Sequence, residues 1–201
     1  MGKMFKEKKG FTLIEVIVVI AVVAILAAIL TPTITKNIDD SKRARAVNEC
    51  QVIAASLTSF YKDLGIWPAR RNATDNYLYL LYGDGRIPTN SGVDTQFWTG
   101  AWGSDREDTF TNQLISNTPN GSGTPYTTTG DLAWRGPYAL EYKSDPWGNR
   151  YVCNVAYLWC CGLDEAVWVL SAGPDGVIET SVNQNIVNPT VSGDDIVGRI
   201  K

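Results

Sequence analysis

The sequence KKGFTLIE at residues 8–15 opens an apolar run, FTLIEVIVVIAVVAILAAIL, which extends from Phe11 to Leu30. A helix of twenty residues rises about 30 Å, the thickness of the hydrocarbon core of a bilayer. The core of a signal peptide or signal anchor has a similar composition, but no clean A-x-A cleavage site follows this run. We therefore predict a transmembrane or filament-core helix at 11–31.

One charged residue, Glu15, lies within this run. A lone carboxylate in lipid costs about 2 to 3 kcal/mol or more, so it usually has a partner. If the chain began at Phe11, the ammonium group at this N-terminus would lie about one helical turn from Glu15. A neighbouring chain shifted by about one turn could pair its Glu15 with this amine, and each pair would neutralise two costly charges. Repeating that shift produces an open helical filament.

The pattern beyond the run predicts that the helix continues through an amphipathic half at 32–64. Pro32 predicts a kink, a local unwinding or a simple curve. Apolar residues then recur at spacings of three and four: Val47, Cys50, Ala54, Leu57, Tyr61 and Leu64. Gly65 and Pro68 predict the helix end. We expect this half to pack under a globular head at 65–201.

The head divides by composition into two parts. Residues 65–135 are rich in Gly, Asn, Thr, Ser and aromatics and show no sustained helical period, which predicts a variable loop insertion. The β-rich runs at 151–157 and 166–171 predict a small antiparallel sheet, so 136–201 carries the sheet. The expected fold class is therefore α+β, with a long hydrophobic helix packed on a small antiparallel sheet.

Composition and charge exclude several classes of function. The net charge is −3 and the pI is about 5.0, which argues against nucleic acid as a partner because phosphates need clustered cations. Histidine is absent, which excludes Ser-His-Asp and Cys-His catalysis and His-ligated zinc. The first ten residues carry +3, and 65–201 carries nine Lys and Arg against fifteen Asp and Glu, or −6. This asymmetry fits a chain whose start stays in the cytoplasm while the rest crosses a membrane.

The segment around Gly10 resembles the N-terminus of type IV pilins and of the pseudopilins of type II secretion systems. The resemblance implies that a prepilin peptidase cuts between Gly10 and Phe11, removes a leader at 1–10 and methylates the new amine. Glu15 would then be the fifth residue of the mature chain. The segment WRGPY at 134–138, followed by DPWGNRY at 145–151, is similar to the region before the sheet in the major pseudopilin.

The resemblance implies a non-enzymatic subunit of a pilin-like filament, most like the major pseudopilin of type II secretion. Expected partners are further copies of the chain in a helical homo-oligomer, minor pseudopilins or pilins, the prepilin peptidase and an ATPase-driven platform in the inner membrane. The expected location is the bacterial inner membrane, spanned once, with the head in the periplasm. The alternative is a type IV pilus subunit, major or minor, in an extracellular filament.

A rival class is a membrane-anchored protein that acts on sugars. A glycosidase would use two carboxylates beside tryptophans, but no Asp or Glu can be assigned as its acid or nucleophile. A glycan-binding module would instead stack sugars on Trp98, Trp102 and Trp134.

Acidic residues near the C-terminus form a candidate metal site. Asp175 lies in the segment LSAGPDG at 170–176, and the pair Asp194 and Asp195 begins nineteen positions after it. The resemblance implies that such a loop holds calcium through these three side chains and the backbone carbonyls of Ala172 and Val177. Calcium takes six to eight oxygens, which suits this donor set together with water. The alternative is a turn with solvated aspartates.

Four cysteines lie beyond the predicted membrane segment: Cys50, Cys153, Cys160 and Cys161. They allow three pairings. A bond between the adjacent Cys160 and Cys161 would be strained, so we favour one of these two pairing with Cys153 across adjacent strands. Cys50 either reaches a cysteine of the sheet or stays a buried thiol. Zinc bound by all four is disfavoured, because no two of them have the usual two-residue spacing.

Overall fold

The computed structural model of the chain describes residues 10–72, 75–76, 78–93, 98, 106–159, 164–182 and 184–201. The chain forms two compact units, one that ends at Ser41 and one from Lys42 to Lys201. Helix α1, Leu13–Leu64, contributes residues to both units.

The first part of α1, before Lys42, exposes its large apolar side chains on every side. The exposed fraction is 77% for Leu13, 53% for Leu26 and 66% for Ile29. Among the helices of the described residues, α1 is long and apolar enough to cross a membrane. The helix is continuous through Pro32, so the unwinding considered for this position is not present in the isolated chain.

The second part of α1 buries one face in the head. Its buried residues recur at helical spacing: Ala46, Cys50, Ile53, Ala54, Ser56, Leu57, Phe60 and Leu64. This stripe agrees with the predicted one except that Val47 and Tyr61 are 40% and 43% exposed. Gly65 ends the helix in the left-handed region, with φ of 69°, and its N–H donates to the carbonyl of Tyr61 at 2.7 Å.

The described part of the head contains nine short strands, a π-helical turn at Thr111–Ile115, a 3-10 helical turn at Pro119–Gly121 and a short α-helix, α2, Ala156–Trp159. In chain order the strands are β1 Arg70–Asn72, β2 Asp75–Asn76, β3 Leu80–Tyr82, β4 Thr89–Asn90, β5 Glu107–Thr109, β6 Val152–Cys153, β7 Trp168–Ser171, β8 Val177–Ile178 and β9 Ile196–Arg199. The main sheet has the order β5-β3-β6-β7-β9, while β1 pairs with β2 and β4 pairs with β8.

The α+β class and the packing of the long helix on a small sheet are confirmed, but the sheet is mixed rather than antiparallel. Strand β3 pairs with β5 in parallel, and the remaining pairs of the main sheet are antiparallel. Both β3 and β5 come from 65–135, so the structure places part of the predicted loop insertion inside the sheet. The insertion also supplies core side chains, because Leu78, Phe110 and Leu114 are fully buried.

Strand β9 approaches α1 more closely than a side chain would allow. A Cβ atom at Gly198 would lie 2.6 Å from the carbonyl carbon and oxygen of Cys50. Gly198 lies opposite Val169 on β7, and Val169 lies opposite Cys153 on β6. Residues directly opposite one another share a face of a sheet. This face therefore packs against the buried stripe of α1 and forms the core of the head.

Candidate functional site

The predicted assembly residues lie at the start of α1. The N–H and the hydroxyl of Thr12 both donate to Oε2 of Glu15, at 2.8 and 2.7 Å, and the N–H of Glu15 donates to Oγ1 of Thr12 at 3.3 Å. This reciprocal pattern is a capping box, which satisfies free N–H groups at a helix start. Phe11 is 89% exposed just before it, and Gly10 is exposed as well.

In the isolated chain, the carboxylate of Glu15 is therefore bound by its own helix start. Sequence analysis did not identify Thr12 as its partner, although the spacing of Thr12 and Glu15 is the signal that a capping box gives. The pairing of Glu15 with the amine of a neighbouring chain stays a prediction.

Three carboxylates gather beyond the end of β7. One oxygen from each of Asp175, Glu179 and Asp194 lies within 4.8 Å of the others. Asp175 belongs to the turn between β7 and β8, where its Oδ1 accepts the N–H of Val177 at 2.8 Å. Glu179 directly follows β8 and was missed by sequence analysis, because no spacing within the long stretch between the aspartates singles it out. Its carboxylate lies where a Cβ atom of Gly193 would be, and Gly193 has φ of 61°, a left-handed conformation that favours glycine.

Asp195 lies outside this group of three. Its side chain is 7% exposed, and its Oδ2 accepts the N–H groups of Glu179 at 2.9 Å and Thr180 at 2.7 Å. Asp195 thus ties the segment before β9 to the segment after β8. The two predicted carbonyl ligands flank the Asp175 turn: Ala172 directly follows β7, and Val177 begins β8.

The electrostatics of this acidic loop, residues 172–179 with 193–195, fit a cation. Among the described residues, Oδ1 of Asp194 and Oδ1 of Asp195 are buried and have no hydrogen-bond partner. Burial raises the pKa of Asp194, and the charge of Asp175 raises it further. Burial also raises the pKa of Asp195. A cation that binds oxygen ligands would offset the repulsion between Asp175 and Asp194 and would contact the two Oδ1 atoms that lack partners. The residues present therefore fit calcium.

The predicted disulfide from Cys153 is not formed in the structure. Cys50 and Cys153 are both buried free thiols, and Cys160 and Cys161 lie outside the described residues. Cys153 lies on the face of the sheet that packs against α1, which turns it into the core. Cys50 is also a core thiol, and its Sγ donates to the carbonyl of Ile196 at 3.7 Å. Burial raises the pKa of both thiols, so neither is activated as a thiolate.

The sugar-stacking hypothesis is wrong for Trp98. This side chain is fully buried, and its Nε1 donates to the carbonyl of Thr180 at 2.8 Å. Trp134 is half-buried and packs edge-on against Tyr138, with ring centroids 5.8 Å apart. Trp102 lies outside the described residues. Trp98 therefore serves the core rather than a binding surface.

Comparison with known proteins agrees with the features of α1. Residues 5–31 match the family model of the prokaryotic N-terminal methylation motif. The chain is 27% identical over 174 residues to type II secretion system core protein G of Escherichia coli strain K12, covering 87% of each protein. No solved structure matches this chain at a significant level.

Two fimbrial relatives match shorter stretches with higher identity. Fimbrial protein EcpC of Eikenella corrodens is 40% identical over 62 residues, which cover 31% of this chain and 40% of that protein. Type IV major pilin protein PilE of Neisseria gonorrhoeae is 38% identical over 61 residues, which cover 30% of this chain and 36% of that protein. The chain thus spans well under half the length of these fimbrial relatives, whereas the likeness to core protein G covers most of both proteins.

Proposed function

Because this chain is a pilin-like protein with an N-terminal methylation motif, we propose that it is the major structural subunit of a type II secretion pseudopilus. The observation that carries the proposal is the likeness to core protein G, which covers 87% of both chains. The fimbrial matches cover about a third of this chain.

The exposure of α1 supports assembly into a filament. Large apolar side chains from Phe11 to Ile38 are exposed in the single chain, and water is a poor solvent for such a surface. Lipid covers this surface before assembly, and the same surface of other copies covers it afterwards. The filament is a helical homo-oligomer in which Glu15 pairs with the amine of Phe11 of a neighbour.

The proposed location follows from charge. The first ten residues carry +3 and stay in the cytoplasm, while the head reaches the periplasm after a single crossing of the inner membrane. The proposed partners are a prepilin peptidase that cuts before Phe11, minor pseudopilins and an inner-membrane assembly platform. In this role the growing filament drives folded proteins through an outer-membrane channel.

We further propose that the acidic loop holds one structural calcium ion. Asp175, Glu179 and Asp194 supply carboxylate oxygens that already lie within 4.8 Å of one another. Asp195 would add its unpartnered Oδ1, and the carbonyls of Ala172 and Val177 would complete the ligand set. A bound calcium supplies a positive charge that ties the turn after β7 to the segment before β9.

The test is complementation of a bacterium that lacks its own core protein G and retains the rest of its type II secretion system. The full chain should restore both sedimentable filaments and the export of a folded protein. The matched pair of variants is Glu15→Gln, which should lose both, and Asp39→Asn, which removes an exposed carboxylate outside the apolar run and should keep both. Absence of filaments from the wild-type chain would overturn the proposal.

The alternative is a type IV pilus subunit, which the 38% identity to PilE of Neisseria gonorrhoeae favours. The same experiment separates the two functions. Filaments that form without restoring export, and that support adhesion or motility, would assign the chain to a pilus.

A further inference from the structure

A buried turn at 145–149 lies beside the acidic loop. Asp145 and Asn149 are 3% and 4% exposed. Oδ1 of Asp145 accepts the N–H of Trp147 at 3.0 Å and the N–H of Asn149 at 2.7 Å. These bonds close the turn and satisfy one oxygen of a buried carboxylate.

Ser171, the last residue of β7, joins this turn to the acidic loop. It is fully buried, and its hydroxyl donates to Oδ2 of Asp145 at 2.7 Å. The same hydroxyl oxygen accepts the N–H of Gly173 at 3.3 Å. The carbonyl of Gly173 accepts a bond from Nδ2 of Asn149 at 3.4 Å. Both backbone groups of Gly173 are therefore held by this network.

Gly173 in turn touches one of the clustered aspartates. Its φ is 63°, and a Cβ atom there would lie 2.6 Å from the carbonyl oxygen of Asp194 and 2.9 Å from its Oδ1. Gly176, on the other side of Asp175, has φ of 71°, and a Cβ atom there would lie 3.2 Å from the side-chain amide of Asn149. The Asn149 side chain thus meets the loop on both sides of Asp175.

We propose that Asp145, Asn149 and Ser171 are positioning residues for the cation site, acting through Gly173 on Asp175 and Asp194. The inference rests on the calcium site proposed above. A network that fixes the backbone between ligands reduces the conformational entropy lost when the ion binds. Partners behind metal ligands have this effect in general, and their loss typically weakens metal binding about 10- to 100-fold. Asp145 is not itself a ligand, because N–H and O–H donors bind both of its oxygens.

The test is calcium titration of the full chain in detergent micelles by calorimetry. Asn149→Ala and Ser171→Ala should each raise the Kd for calcium about 10-fold or more. Ser56→Ala is the matched control, because Ser56 is also buried and its hydroxyl bonds to carbonyls of Val52 and Tyr138, outside the network. This control should leave the Kd unchanged.

Unfolding temperatures measured with a chelator and with calcium separate positioning from general stability. Asn149→Ala should reduce the rise in Tm that calcium gives to the wild type. In an Asp175→Asn background, where the ligand set is already broken, Asn149→Ala should reduce that rise no further. A purely structural role would instead lower both Tm values equally in either background.

Three outcomes decide the matter. A wild-type Kd in folded Asn149→Ala overturns the inference, even if Ser171→Ala fails to fold. No calcium binding by the wild type overturns both the site and the inference, while filament formation, measured separately by sedimentation, keeps the pseudopilus proposal intact. Weakened binding in both network variants, with an unchanged Ser56→Ala, supports the inference.

Discussion

The parts of α1 before and after Lys42 differ in what covers their apolar side chains. Before Lys42, large apolar residues such as Leu26 are about half exposed or more, and the described chain offers them no core. After Lys42, one face is buried against the sheet, and Leu57 and Phe60 are fully enclosed. One continuous helix therefore carries a surface that only other molecules can cover and a surface that the chain covers itself.

The two parts also differ in the spacing of their apolar residues. In 11–30 apolar residues occupy nearly every position, which is typical of a helix surrounded by lipid or by other helices. In 42–64 polar residues separate the apolar ones, which is typical of a helix with one packed face. Substitutions in the first part should therefore affect processing and assembly, and those in the second part should affect folding.

The largest expected effect is on processing before the first part of α1. Gly10→Val should block maturation completely, because the expected peptidase cuts after this glycine. Gly10 is exposed, and no atom lies within 4 Å of a Cβ placed there, so the substitution should leave the head folded. Intact-mass analysis should show that 1–10 is retained. A mature chain that begins at Phe11 would contradict the prediction.

The next effect concerns assembly. Glu15→Leu should lower filament yield about tenfold or more, because an unpaired ammonium in lipid costs a few kcal/mol and about 1.4 kcal/mol is a factor of ten. It also removes the acceptor of both Thr12 bonds. Sedimentation measures the yield, and the Tm of the head should not change. A normal yield of filaments from Glu15→Leu would contradict a role of Glu15 in assembly.

A matched pair of substitutions compares the two parts directly. Leu57→Ala should lower the free energy of unfolding of the head by about 2 to 5 kcal/mol, because it leaves a cavity in the core. Leu26→Ala makes the same chemical change at a side chain that is 53% exposed, and it should leave the unfolding of the head unchanged. Urea denaturation followed by tryptophan fluorescence provides the measurement. Equal losses in both variants would contradict the division of α1.

The smallest effect is a pH dependence confined to the head. Burial raises the pKa of Tyr142 from 10.0 to about 12. The folded head thus favours the neutral phenol of Tyr142. The stability that this preference contributes is fully present below pH 10 and is lost as the pH rises through 12. Tyr142→Phe should flatten the alkaline loss of stability, whereas Tyr61→Phe, an exposed position on α1, should not. Identical alkaline profiles for Tyr142→Phe and the wild type would refute this.

Features set by local sequence could be predicted for this chain. The apolar run, the buried stripe and the stop at Gly65 each depend on neighbours within a few residues. The β-rich run at 166–171 contains β7, but the run at 151–157 yields only β6 before α2 begins at Ala156.

Features set by distant contacts could not be predicted. Strand β5 was missed because Asp108, at its centre, is a poor strand residue by composition. Its buried carboxylate is satisfied by donors from Thr109, Asn112, Gln113 and Asn120. The same holds for the acidic loop. Asp175 and Asp194 could be identified by resemblance, whereas Glu179 directly follows β8, which pairs with β4, and its N–H is bound by Asp195.

The close approach of β9 to α1 has a mechanical consequence. At Gly198 and Cys50 peptide backbone meets peptide backbone, without a flexible side chain between them. In the proposed pseudopilus, a load along the filament would pass from α1 to β9 through this backbone contact. Strand β9 then shares the load with β7 through four antiparallel residue pairs. Gly198, which permits the close packing, would thus let α1 transmit load to the sheet without an intervening side chain at this position.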